Sequence, residues 1–302
     1  MKQRRERVGR APRLRPTSDE RVYRLVQASI IGSFMVAIVL PFMHIIGISI
    51  AAPEATQRGI DFFWPRALSL EAYRQVFAAP NIVRGFYNSL IYTVAGTSVA
   101  MLLTATLSYG LSIRQLPAHR FFNLLVVFTM VFNAGLIPLY LVVRALGLLN
   151  SYWSVIFATA INPFFAIILR NFFENIPKEL HESAYIDGAS EPRILSSVIL
   201  PLSTPALAAI TLFYAVSRWN SFFQALMFIN DSAKWPIQVW LRQMLELEPV
   251  TVVGQDPGQF VDMAPQSVRM AVVIAAMVPI VMVYPFLQKH FAKGIMLGAV
   301  KG

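Results

Sequence analysis

The amino-acid sequence predicts an all-α, polytopic membrane protein with six transmembrane helices. Three observations predict it. Of 302 residues, 56% are hydrophobic and 14% charged, with a mean hydropathy of +0.55, whereas a soluble chain carries about 25% charged residues. Six apolar stretches, at 25–50, 87–113, 121–143, 152–172, 203–223 and 268–287, each come near the roughly 20 residues that cross a bilayer. The segments between them differ in total basic content by side. With the N-terminus inside, segments 1–24, 113–120, 170–200 and 288–302 hold 17 Lys and Arg, against nine in 51–87, 144–151 and 218–269. Basic loops stay on the cytoplasmic side, so both termini are expected there.

In chain order, residues 1–24 form a basic tail with Arg4, Arg5, Arg7, Arg10, Arg13 and Arg15, expected to be disordered and cytoplasmic. A net charge of +10 invites a nucleic-acid reading, but nine of the 26 basic residues sit in this tail beside an apolar span. That position favours membrane topology and no nucleic-acid partner. The first span, 25–50, exceeds the apolar region of about 7–15 residues in a signal peptide. An external loop over 51–86, with Trp64 and Tyr73, is expected to hold short interfacial helices. The six-helix domain runs over 25–287, with a second external loop at 224–267 and a cytoplasmic loop at 173–202. Pro138, Pro163 and Pro279 can break helices and free carbonyls. The tail 288–302 carries Lys289, Lys293 and Lys301, suited to a cytoplasmic partner or to anionic membrane lipid.

The longest polar interruption in the second half, 177–205, reads as two short helices. Asn175 and Pro177 suit a helix start, and Lys178–Ile186 follows with Glu179 and Glu182 on one face. Gly188 can take the left-handed conformation that stops a helix, and Ser190 can cap the next, with Pro192 in its first turn. Glu182-Ser183-Ala184, three residues, Gly188, nine residues, then Val198-x-Leu200-Pro201 resembles the EAA motif of ABC importer permeases. Ser183 stands for an Ala of that motif and Val198 for an Ile. From about residue 88 onward the chain is similar to carbohydrate permeases of the maltose-permease type. Asn88-Ser89-Leu90, the stretch 132–153, Trp219-Asn220-x-Phe222 and the C-terminus from Tyr284 carry the similarity, the second and last of these towards the LplC-like subgroup, which includes alginate importer permeases.

The resemblance implies a type I ABC importer permease fold, a bacterial inner-membrane location and import of oligosaccharides, with uronate oligosaccharides such as alginate fragments as one candidate. It implies a second, homologous permease chain, two ATPase subunits that hold ATP and Mg, and a periplasmic or lipid-anchored solute-binding protein. No cofactor is expected on this chain. Glu179, Glu182, Ser183, Ala184, Asp187, Gly188 and Glu191 would form the helix that docks on the ATPase.

The residues themselves exclude several rivals. None of the six stretches contains Asp or Glu, which argues against ion coupling. No phosphate-binding G-x-x-x-x-G-K-[ST] loop is present, so ATP hydrolysis belongs to another chain. Cysteine is absent, and His44, His119, His181 and His290 are scattered, which leaves no evident metal site. No cluster of catalytic groups indicates an enzyme. The remaining rivals are a permease for a peptide or amino acid and a non-transporting structural subunit. Arg218, 15 residues into the fifth span, has two readings: it snorkels to the outer headgroups, or it faces a cavity where a planar guanidinium can bind a uronate bidentately. Trp219 is either an interfacial anchor or a sugar platform. Asn88, Asn133, Asn162, Asn220 and Gln224 complete the candidate cavity, with helix–helix hydrogen bonding as the alternative role for Asn88, Asn133 and Asn162.

Overall fold

The computed structural model describes residues 18–52, 67–245 and 265–299. The basic tail up to residue 17, the loop segments 53–66 (with Trp64) and 246–264, and residues 300–302 (with Lys301) lie outside the described residues, as do the side chains of Lys289 and Lys293. Regular structure among the described residues is helical, apart from one antiparallel bridge between Ala51 and Leu68 that closes the base of the first long loop.

Helix α1 (Ser18–Ser49) leads through that loop to the short α2 (Glu71–Ala78) and then to α3 (Pro80–Ser112). Pro80 opens α3 at a position where no N–H is needed. Three bent pairs follow. Helices α4 (His119–Val131) and α5 (Leu136–Ala145) meet at 117°, and α6 (Tyr152–Ala158) and α7 (Pro163–Glu174) at 56°. After α8 (Lys178–Ile186), α9 (Glu191–Leu202) and α10 (Thr204–Trp219) meet at 88°. Helices α11 (Phe223–Phe228) and α12 (Ile237–Leu245) lead to α13 (Gln266–Ala299), which continues past the expected span end at 287.

The stretches 121–143 and 152–172 are therefore not the unbroken spans the sequence suggested, and each bend has a local cause. At the first, Gly135 has φ +83 and the Asn133 side chain accepts from its N–H at 2.8 Å. At the second, Asn162 caps α7 by accepting from Phe164 N–H at 2.9 Å, and Pro163 takes the first helical position. At the third, Ser203 leaves helical geometry between Pro201 and Pro205, and Leu195–Ile199 widens into a π turn just before Pro201.

The axis of the fold is α3, on which α10, α7, α12 and α6 all pack. Small residues make the close approach possible. A Cβ on Gly85 would lie 2.9 Å from Trp240 Cδ1, and one on Gly96 would lie 3.1 Å from Arg218 Cδ. Two apolar cores stack along α3. One gathers Tyr92, Ile156, Trp219, Trp235 and Trp240 with Val268 and Val272. The other gathers Ala105 and Tyr109 with Leu169, Phe173, Ile194, Ile199, Ile210 and Tyr214. The segment expected as an external loop at 224–267 is partly structural, since α11 and α12 bury Phe228, Ile237, Val239, Trp240 and Met244. Helix α1 packs on α13 and leaves most of its apolar side chains exposed, as a lipid-facing peripheral helix does.

Candidate functional site

The loop between α7 and α9 is the first candidate site. Helix α8 occupies the bounds expected for it, but Pro177 rather than Asn175 stands at its N-cap, and the Asn175 amide donates back to Asn171 O. Gly188 has φ +76, and the helix ends with Ala189 N–H donating to Ala184 O and Gly188 N–H to Tyr185 O, both at 3.0 Å. This is a Schellman stop, which satisfies two terminal carbonyls and needs a residue without a Cβ penalty at its corner. Ser190 starts α9 through its carbonyl, which accepts from Arg193 and Ile194 N–H; its hydroxyl does not cap.

Glu179, Glu182, Ser183, Asp187, Gly188 and Glu191 are exposed, whereas Ala184 turns inward against the second core. Its small size lets it pack against that core. Helix α8 buries no residue fully and presents Leu180, Tyr185 and Ile186, the last at 84% exposure. In the sequence these apolar side chains are masked by the acids around them. Their signal was an apolar pair, Tyr185-Ile186, ending a polar helix.

On its inner side α8 meets the end of α3. Tyr109 Oη donates to Glu191 Oε2 and lies 3.2 Å from His181 Nε2, which is in turn 3.3 Å from Glu191 Oε2. The Tyr109 ring also meets Phe173 edge-on at 6.5 Å. A cleft of about 750 Å³ opens beside this knot, lined in part by Arg114, Lys178, Glu182 and Tyr185. At its rim Glu174 pairs with Arg170 at 3.0 Å and Arg114 at 3.9 Å.

The residues expected in a substrate cavity do not come together. Arg218 is 4% exposed. One terminal nitrogen donates to Val155 O at 3.1 Å and Thr159 Oγ1 at 2.5 Å, the other to Thr159 O at 2.5 Å. The guanidinium thus neither snorkels nor opens to a cavity: it covers carbonyls left bare where α6 ends at the bend. Trp219 is also buried and donates from Nε1 to Ala276 O at 3.0 Å, which ties α10 to α13 and removes it as an anchor or sugar platform. Asn88 is buried, with its amide nitrogen donating to Ala233 O and Trp235 O and its oxygen accepting from Tyr152 Oη, all at 2.9 Å. With its amide protons spent, it clamps the 233–235 turn and is corrected from cavity lining to structural support. The Asn133 and Asn162 side chains hold the two bends described above, and Asn162 N–H also donates to Tyr214 Oη on α10 at 2.9 Å. Asn220 is exposed with its amide turned to Val216 O, and Gln224 is half-buried.

Residues 113–297 match the family described as the binding-protein-dependent transport system inner membrane component. The chain belongs to this family. Protein LplC of Bacillus subtilis (strain 168) is 45% identical to this permease over 287 residues, 95% of this chain and 97% of its own. The polygalacturonan/rhamnogalacturonan transport system permease protein YtcP of the same strain is 47% identical over 275 residues, 89% of this chain and 94% of its own. A chain in the crystal structure of a bacterial ABC transporter involved in the import of the acidic polysaccharide alginate superposes with a TM-score of 0.83. It is 31% identical and covers 92% of this chain and 99% of that one. The fold is that of a type I ABC importer permease, and the protein is a multi-pass inner-membrane component of a transport system, related to permeases rather than to enzymes.

Proposed function

We propose that this permease serves an ATP-driven importer of acidic oligosaccharides, uronate-rich fragments of the pectin or alginate kind. One observation carries the substrate class. Two proteins matched along nearly their whole length, the YtcP permease and the alginate transporter chain, are each named for a uronate-rich polysaccharide. The permease forms half of the pore with a second, homologous permease. Two ATPase subunits hold ATP and Mg, a solute-binding protein delivers the sugar, and this chain itself holds no cofactor. Both termini and the α8 loop face the cytoplasm, as the basic-residue distribution favours.

In this reading α8 docks on an ATPase subunit. Leu180, Tyr185 and Ile186 supply apolar contact, and Glu179, Glu182, Ser183, Asp187 and Glu191 supply polar contact. ATP-driven closure of the two ATPases displaces the docked loop as a rigid body, and the helices packed on α3 change between inward- and outward-facing arrangements.

The test is uptake by the full complex in proteoliposomes, with its solute-binding protein supplied outside. Labelled oligogalacturonates and alginate oligosaccharides are compared with neutral malto-oligosaccharides. ATP-dependent uptake of the uronates alone is expected. Preferential uptake of the neutral sugars would overturn the acidic assignment.

A further inference from the structure

We infer that Tyr109 is the residue through which movement of the docked loop reaches the pore, acting as a positioning residue that locks α8 and α9 onto α3. The inference deepens the proposed docking of α8 and rests on it. Helix α8 buries none of its side chains fully and sets only Ala184 against the second core, so apolar packing holds it weakly. Its other tie is polar. A single hydroxyl at the inner end of α3 bonds to a residue from each of the two helices of the loop, His181 on α8 and Glu191 on α9.

The hydrogen-bond roles are fixed by counting protons. Tyr109 has one O–H, and it goes to the Glu191 carboxylate. His181 must then present Nε2–H, which donates towards Tyr109 Oη at 3.2 Å and Glu191 Oε2 at 3.3 Å. Each of the three groups touches the other two, and the two bonds to the Glu191 carboxylate are of the stronger, charge-assisted kind. The Tyr109 ring is 7% exposed and seated against Phe173, so the hydroxyl sits on a fixed post rather than a mobile side chain. Helix α3 is also the element on which α10, α7, α12 and α6 pack. A pull on the knot therefore acts on the axis of the bundle.

The test uses the complete complex with Tyr109→Phe, which keeps the ring and deletes the hydroxyl. ATPase subunits are expected to co-purify as in the parent, with ATP hydrolysis within about twofold, while sugar imported per ATP falls about tenfold, the size of one lost charge-assisted bond. His181→Gln, whose amide can still donate, is expected to keep coupling, and His181→Leu to lose it. A loss of hydrolysis in proportion to uptake would reduce Tyr109 to a folding or docking role and overturn the inference, as would unchanged import per ATP.

A second readout needs no sugar. The chain has no cysteine, so spin labels at Lys178→Cys and Gln115→Cys report the distance from α8 to the inner end of α3. That distance is expected to stay single when ATP binds in the parent and to shift or broaden in Tyr109→Phe. Identical distance distributions in both backgrounds would overturn the inference. If the parent complex imports neither sugar class, the substrate reading fails alone, and the distance measurement still decides the role of Tyr109.

Discussion

Burying a guanidinium among apolar helices is costly unless its N–H groups find acceptors. Arg218 finds them in Val155 O, Thr159 O and Thr159 Oγ1, at the end of α6. A positive charge also suits the C-terminal end of a helix, where the last carbonyls lack intrahelical partners. Arg218→Leu should strip these carbonyls of donors and cost about 2 kcal/mol, read as a lower melting temperature of the purified permease. Arg218→Lys, with one compact ammonium in place of a planar fork, should recover only part of that loss. Because the group is buried in the protein, Arg218→Ala should lower the maximal rate of uronate uptake without changing the uronate concentration that half-saturates it. A raised half-saturating concentration at an unchanged maximal rate would return Arg218 to the cavity wall. The sequence showed an arginine at this depth but no partner for it. The partners are backbone carbonyls of another span, exposed only because that span bends, and Pro163 was their sole trace. Asn88 misleads for a related reason: its acceptors, Ala233 O and Trp235 O, carry no side-chain signal at all.

Helix length and polarity were legible where apolar composition or a terminator set them, as in α3, α8 and the start of α13. Bends were not, because one glycine or one capping asparagine changes direction without changing hydropathy. The α4–α5 corner depends on Gly135 and Asn133 in this way. Helix α12 was missed because it follows a Pro-containing turn and is too short to register as a span, although it places Trp240 in the core. Two glycine substitutions separate conformational from packing demands. Gly188→Ala keeps open space around the new methyl but forces an L residue to φ +76, a cost of about 1 kcal/mol. Gly188→Asn should cost less, because asparagine tolerates that region better. Gly85→Val acts by contact instead, since its Cβ falls 2.9 Å from the buried Trp240 ring. Overpacking there should cost about 1–3 kcal/mol, so Gly85→Val should melt lower than Gly188→Ala while Gly188→Ala does more harm to import per ATP.

At the scale of the molecule, polar bonds tie α3 to its neighbours near both ends, besides the Arg218 cluster at its middle and the Thr104–Tyr214 bond. One end carries the Asn88 clamp with Tyr92 Oη donating to Lys234 O and Ile237 N–H donating to Ser89 Oγ. The other carries the Tyr109 knot and the Arg170–Glu174 pair. The two apolar cores fill the length between them, so the ends are linked through one continuous helix. The proposed topology puts the Tyr109 end and the termini inside, with 17 Lys and Arg in the segments on that side and nine on the other. The absence of cysteine makes that assignment directly measurable. Asn230 and Gln115 are both exposed and lie on opposite sides in this arrangement. In spheroplasts, Asn230→Cys should react with a membrane-impermeant maleimide, and Gln115→Cys should react only after the membrane is opened. The reverse pattern would invert the topology. It would put α8 outside, beyond reach of any ATPase, and with it would fall the docking of α8 and the role of Tyr109 as its link to the pore.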